Sequence, residues 1–112
     1  MDQESVIAEV ESALPPPPPP ETDVAPVARA LGHPARIRVV AYLRDHGPAI
    51  AGDIVEAVGL AQSTVSEHLR LLREAGIVTA RSDPPRVIYA LDPDSVVPLA
   101  RFLISVMEMR EG

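Results

Sequence analysis

Five residues between positions 62 and 70 carry side chains suited to reading a nucleic-acid surface: Gln62, Ser63, Thr64, Ser66 and Arg70. An amide and short hydroxyls both donate to and accept from base edges, and the planar fork of arginine matches guanine or a phosphate. Val65, Leu69 and Leu72 are interleaved with them at i, i+4 and i+7, so a helix here separates an apolar stripe from a polar face. An ordinary solvated helix face would look the same in isolation. The surroundings favour DNA contact, because a glycine turn precedes this segment and two β-rich runs follow it.

The histidines suggest less chemistry. His33 precedes Pro34 and reads as a capping or turn residue, His46 closes a helix where its cation would complement the dipole, and His68 sits at the edge of the apolar stripe. A metal site built from all three with scattered carboxylates is the weaker reading. With no cysteine in the chain there is no disulfide, thiolate metal site or sulfur nucleophile. No Ser-His-Asp set, glycine-rich phosphate loop or paired-carboxylate cleft can be assembled either. The expectation is therefore a protein that is not an enzyme, with no catalytic residues, no cofactor and no metal.

The elements that must position the polar face follow from periodicity. Asp23 to Leu31 carries Val24, Val27, Ala28 and Leu31 on one helical face. Gly32-His33-Pro34 breaks it, and Pro34 suits the first position of a new helix, where its missing N–H has no partner to lose. Ala35 to Asp45 reads as that helix, with Ile37, Val40, Ala41 and Leu43 as its stripe. Ala51 to Val58 is a short helix with Ile54, Val55 and Val58 inward, closed by Gly59. Gln62 to Ala75 follows, stopped by Gly76. The runs Ile77 to Arg81 and Arg86 to Leu91 flank Ser82-Asp83-Pro84-Pro85 as a hairpin with a stiff tip. A last helix has its N-cap near Asp94 or Ser95, which keeps Pro98 in the first turn.

Two helices joined by a glycine turn, the second polar outside and followed by a hairpin, describe a winged helix-turn-helix. The fold class is thus mainly α with a small β-hairpin. A helix about 10–12 Å wide fits the major groove, and Arg81 and Arg86 flank the hairpin tip, where they reach backbone or minor groove. The last helix supplies Val96, Leu99, Phe102, Leu103 and Val106, an apolar face wider than a small monomer covers, so a homodimer interface is expected there.

The chain has 112 residues and a formal net charge of −6. This length supports one domain. Residues 1–24 hold six carboxylates and no base, while the other 88 hold ten arginines against ten carboxylates, so the acidic balance belongs to the N-terminal segment. An acidic, proline-rich tail is expected over 1–22, with a short helix over 5–14 and polyproline II over 15–20, ahead of a DNA-binding and dimerisation domain over 23–110. No stretch suits a membrane span and the N-terminus lacks the basic start of a signal peptide, so no membrane partner and a cytoplasmic location are expected.

The run from Asp53 to Val78, with Leu31 to Arg38 upstream and Tyr89 in the second wing strand, resembles the DNA-binding core of the ArsR/SmtB bacterial repressors. The likeness spans about residues 24 to 107. It implies a homodimer built on the first helix, with Val24, Val27 and Leu31, and on the last, and repression by binding a double-stranded operator, relieved by an inducer. The family's thiolate sensors place two cysteines just ahead of the position of Asp53, where this chain has Ile50, Ala51 and Gly52; its zinc sensors use histidines on the last helix, where this chain has none. Neither type of metal sensing is implied, and the inducer is not identified. Ala61 stands where the family often has serine, and Asp83-Pro84-Pro85 makes a less positive wing tip. The competing readings are a winged-helix protein-interaction module and a sensor with a non-standard His/carboxylate metal site.

Overall fold

The computed structural model describes residues 6–10 and 20–111. Residues 6–10 are helical, with Ile7 and Val10 half-buried. The rest of the expected 5–14 helix and prolines 15–19 lie outside the described residues.

Helix α1 spans Pro20–Leu31 and α2 spans Pro34–His46. Strand β1 (Ala49–Ile50), helix α3 (Ala51–Val58) and helix α4 (Gln62–Glu74) follow. The hairpin is β2 (Val78–Asp83) and β3 (Arg86–Leu91). A 3-10 turn at Pro93–Val96 leads into α5 (Val97–Met107), and a second 3-10 turn covers Glu108–Glu111.

The core is aliphatic. Val27 and Ala30 of α1, Val39 and Leu43 of α2, Ile54 of α3 and Val65, Leu69 and Leu72 of α4 pack together with Ala49, Ile77 and Val78. The helix-turn-helix angle is set at Gly59, whose φ of 74° is left-handed and free of a Cβ penalty only in glycine. At the other end of α4 the amides of Gly76 and Ile77 donate to Arg73 and Leu72, a closure that needs the left-handed Gly76 and turns the chain straight into β2.

Several sequence expectations need correction. Helix α1 begins at Pro20 rather than Asp23, taking in the last proline of the run, which is helical and not polyproline II. Its buried face uses Ala30 in place of the exposed Ala28. In α2 the buried stripe is Ala35, Val39 and Leu43, while Ile37 is 49% exposed. Two stripes compete on that helix, and the buried one runs at i, i+4 and i+8 from Ala35, a residue too small to announce it by pattern alone. Strand β1 was not expected: two residues carry no period, and it exists because Ala49 and Ile50 pair with Tyr89 and Ile88 of β3, giving the order β1-β3-β2. The first wing strand runs Val78–Asp83 rather than Ile77 to Arg81, so the tip narrows to Pro84-Pro85, joined by a cis peptide bond. The last helix has its N-cap at Val96, not Asp94 or Ser95, with no side-chain capping bond; Asp92 instead caps the 3-10 turn before it, accepting from the Asp94 amide at 3.1 Å, and Pro98 stays in the first turn of α5 as expected.

Candidate nucleic-acid interface

Helix α4 is held by its inner face. Val65, His68, Leu69 and Leu72 are buried, and Gln62, Ser63, Thr64, Ser66, Glu67, Arg70 and Arg73 are exposed on the remainder. Its N-cap is Ala61, with extended backbone and no side-chain capping bond, so the first amides of α4 face outward beside Gln62 and Ser63. Of the expected DNA-contacting set, α4 brings Gln62, Ser63, Ser66 and Arg70 onto one open face, with Thr64 at its flank.

Arg81 and Arg86 come from the wing. Register pairs Arg81 with Ile88 and Arg86 with Asp83. Val78 on β2 and Tyr89 and Leu91 on β3 lie against the core. Strand alternation therefore puts Arg81 and Arg86 together on the opposite, outer side, both exposed. A cleft lined by Arg70, Arg73, Glu74, Val78, Thr79 and Ala80 joins the C-terminal end of α4 to the start of β2.

Arg70 is not a free cation. Its Nε donates to both carboxylate oxygens of Glu67 at 3.1 Å, and its terminal nitrogens form ion pairs with Glu67 and Glu74. The bond from Arg70 holds the Glu67 carboxyl below its ordinary pKa, and Glu67 in turn raises that of Arg70. Sequence reasoning assigned Glu67 no role. Its spacing three residues before Arg70 was the signal for the pair.

Beneath this face, Arg36 of α2 reaches α4. Its Nε donates to His68 Nδ1 at 3.2 Å and its terminal nitrogen to the Ala30 carbonyl at 3.3 Å, linking α1, α2 and α4. His68 is the one buried polar residue among those described. Burial, then the nearby His33 and Arg36, push its pKa below the ordinary value, against a smaller opposing effect of Glu67. His33 caps α2, its Nδ1 accepting from the Ala35 amide at 3.1 Å, and its ring lies 4.7 Å from that of His68. His46 ends α2 stacked on Tyr42. Among the described residues no three His, Asp or Glu side chains converge as a metal-binding group.

The residues expected at a dimer interface divide in two. Val27 belongs to the protomer's own core, and Leu31, Val96 and Leu99 pack against that core. Phe102, Leu103 and Val106 stand 42%, 49% and 50% exposed along α5, and Val24 is half-exposed on α1, the helix that packs against α5. No helix among the described residues is long and apolar enough to cross a membrane.

Comparison with known proteins agrees with this architecture. Residues 33–80 match the family model for bacterial regulatory proteins of the arsR family. The Biofilm growth-associated repressor of Agrobacterium fabrum is 32% identical over 96 residues, which is 86% of this chain and 81% of that protein. The crystal structure of the transcriptional repressor BigR from Xylella fastidiosa superposes with a TM-score of 0.60 at 26% identity, covering 95% of this chain and 96% of the other. A second solved structure, an ArsR family transcriptional regulator, has the same fold with a TM-score of 0.74 at 20% identity, covering 87% of this chain and 98% of that one. The helix-turn-helix run, the wing and a relative aligned along most of the chain coincide: the protein belongs to the ArsR family of bacterial regulatory proteins.

Proposed function

We propose that the protein is a homodimeric transcriptional repressor that binds a double-stranded operator and acts in the cytoplasm by binding rather than by catalysis. The observation that carries this reading is the exposed polar face of α4, held by a buried inner face and adjoining a wing whose Arg81 and Arg86 are exposed, in a chain whose Agrobacterium relative is named a repressor. Gln62, Ser63, Ser66 and Arg70 meet base edges, Thr64 meets the groove edge or backbone, and Arg81 and Arg86 meet phosphates. Dimerisation uses the exposed strip of Phe102, Leu103 and Val106 with Val24, backed by Val27, Leu31, Val96 and Leu99. The inducing signal does not act through thiolates, since the chain has no cysteine.

Sequencing the DNA fragments retained by the purified protein tests this directly. An operator should emerge, with affinity falling steeply as salt rises because bound counterions are released. Gln62→Ala or Ser66→Ala should cost about 1–3 kcal/mol on that operator and little on random DNA. Arg81→Ala and Arg86→Ala should weaken all sequences alike and reduce the salt slope by about 1 each. A protein that retains no DNA at any salt would be an interaction module instead.

A further inference from the structure

Ser63, Glu67, Arg70 and Glu74 fall at i, i+4, i+7 and i+11, and all four are exposed. They form the ridge of α4 farthest from the buried Val65, Leu69 and Leu72. A helix laid in the major groove by its N-terminal half cannot bring Ser63, Ser66 and Arg70 to base edges without carrying Glu67 in among them. An ionised carboxylate only accepts hydrogen bonds, and burying it without a donor is costly. The groove supplies such a donor at the N4 amino group of cytosine, the usual partner of a carboxylate, while the N7 and O6 of guanine are the usual partners of arginine.

Resting on the reading of α4 as a DNA-contacting helix, we propose that Glu67 determines operator specificity by accepting a hydrogen bond from cytosine N4 while the adjacent Arg70 donates to guanine. The pair then matches the donor and acceptors that G·C steps display in the major groove. The geometry suits it. Arg70 has five N–H donors; Nε and one terminal nitrogen serve Glu67 and the other terminal nitrogen serves Glu74, which leaves one N–H on each terminal nitrogen for the base. Glu67 thus keeps Arg70 in place and retains lone pairs of its own for cytosine. Glu74 lies a further two turns along α4, beside the cleft to β2, and holds Arg70 from the other side without facing the same bases.

The test is selection from randomised duplexes at one fixed salt concentration, run in parallel on the wild type, Glu67→Gln and Glu74→Gln. The wild-type sites should contain a G·C pair at which exchange for T·A lowers affinity about 5–150-fold. Glu67→Gln should move the preference at that pair toward A·T, because glutamine reads adenine N6 and N7, and leave the other positions unchanged. Glu74→Gln should keep the wild-type preference. If Glu67→Gln tightens binding to every sequence equally with no change of preference, Glu67 merely repels phosphate and the proposal fails. Equal shifts in both variants would also overturn it, since Glu67 would then act only through Arg70. A wild type that enriches no sequence defeats the DNA-contacting reading itself, and this inference with it.

Discussion

His68 shows how a single side chain can tie α4 to the rest of the molecule. Its Nδ1 accepts from Arg36, so that nitrogen carries no proton, and the ring is neutral with its hydrogen on Nε2. Protonation would set a buried cation against Arg36 and beside His33, with only Glu67 in compensation. Because the folded pKa lies below the unfolded one, the unfolded chain binds more protons between the two values. Stability is therefore full above the ordinary histidine pKa of about 6.5 and is lost as pH falls through the window beneath it. Thermal melts from pH 7.5 to 5 should show this decline in the wild type. In His68→Asn, whose Oδ1 can accept from Arg36 without titrating, the decline should be smaller; equal slopes would mean that His68 does not couple folding to protons. That the histidine would be packed was legible from its place beside Val65 and Leu69. The identity of its partner was not, since Arg36 lies 32 residues away and only the crossing of α2 over α4 brings them together.

Among the elements, α4, like α3 and α5, begins without a side-chain cap. Ala61 has the extended backbone of an N-cap but offers no acceptor, whereas His33 caps α2 and Asp92 caps the turn before α5. Ala61→Ser should raise stability by about 1 kcal/mol, read as a higher midpoint in urea at unchanged slope. No rise would mean that the serine hydroxyl does not reach the amide of Ser63 or Thr64. Helix α1 carries the opposite defect, Pro26 within its span. Pro26→Ala should stabilise by up to about 3 kcal/mol, measured in the same way, if the helix continues unstrained through that point. The elements most plainly written in the sequence were those with sharp punctuation: Gly59 and Gly76 bracket α4, and the strand Arg86–Leu91 has its observed bounds. Those missed depend on distant partners. The strand Ala49–Ile50 is defined by Tyr89 and Ile88, and the buried face of α2 is defined by what α1 and α4 leave open to it. The site was legible for the same reason as α4. Its polar residues share one helix, while the constraint that Glu67 and Glu74 place on Arg70 is a matter of rotamers that periodicity does not carry.

For the whole molecule, two surfaces remain open in a single protomer. One is the strip of Phe102, Leu103 and Val106; the only phenylalanine of the chain lies here and not in the core. Phe102→Asp with Leu103→Asp should convert a dimer to a monomer by light scattering at tens of micromolar, and a wild type already monomeric there would refute the proposed interface. The other is the exposed face of α4 with the outer side of the wing, proposed above to meet DNA, which shares the chain with an acidic N-terminal segment. Since α1 starts at Pro20, a clean truncation removes residues 1–19, taking four carboxylates and leaving Glu21 and Asp23 in the first turn of α1. This should strengthen DNA binding modestly at low salt and hardly at all at high salt, because the field of exposed charges is screened over about 8 Å at physiological ionic strength. An equal gain at both salts would point to a steric rather than an electrostatic effect.

The pairing of β1 with β3 also sets an order of events in time. Ala49 meets Tyr89 across forty residues of chain, whereas every pairing within the wing is local to its hairpin. Closing so long a loop costs more entropy than closing a hairpin, and only two residues of ladder reward it. During folding the wing should therefore zip before it is fastened to the helices. In the native protein the same two-residue ladder should be the first to open, while the wing keeps its own ladder and stays anchored to the core through Val78, Tyr89 and Leu91. Amide exchange would record this as faster loss of protection across the β1–β3 ladder than across β2–β3, a weak seam written into the topology rather than into any glycine.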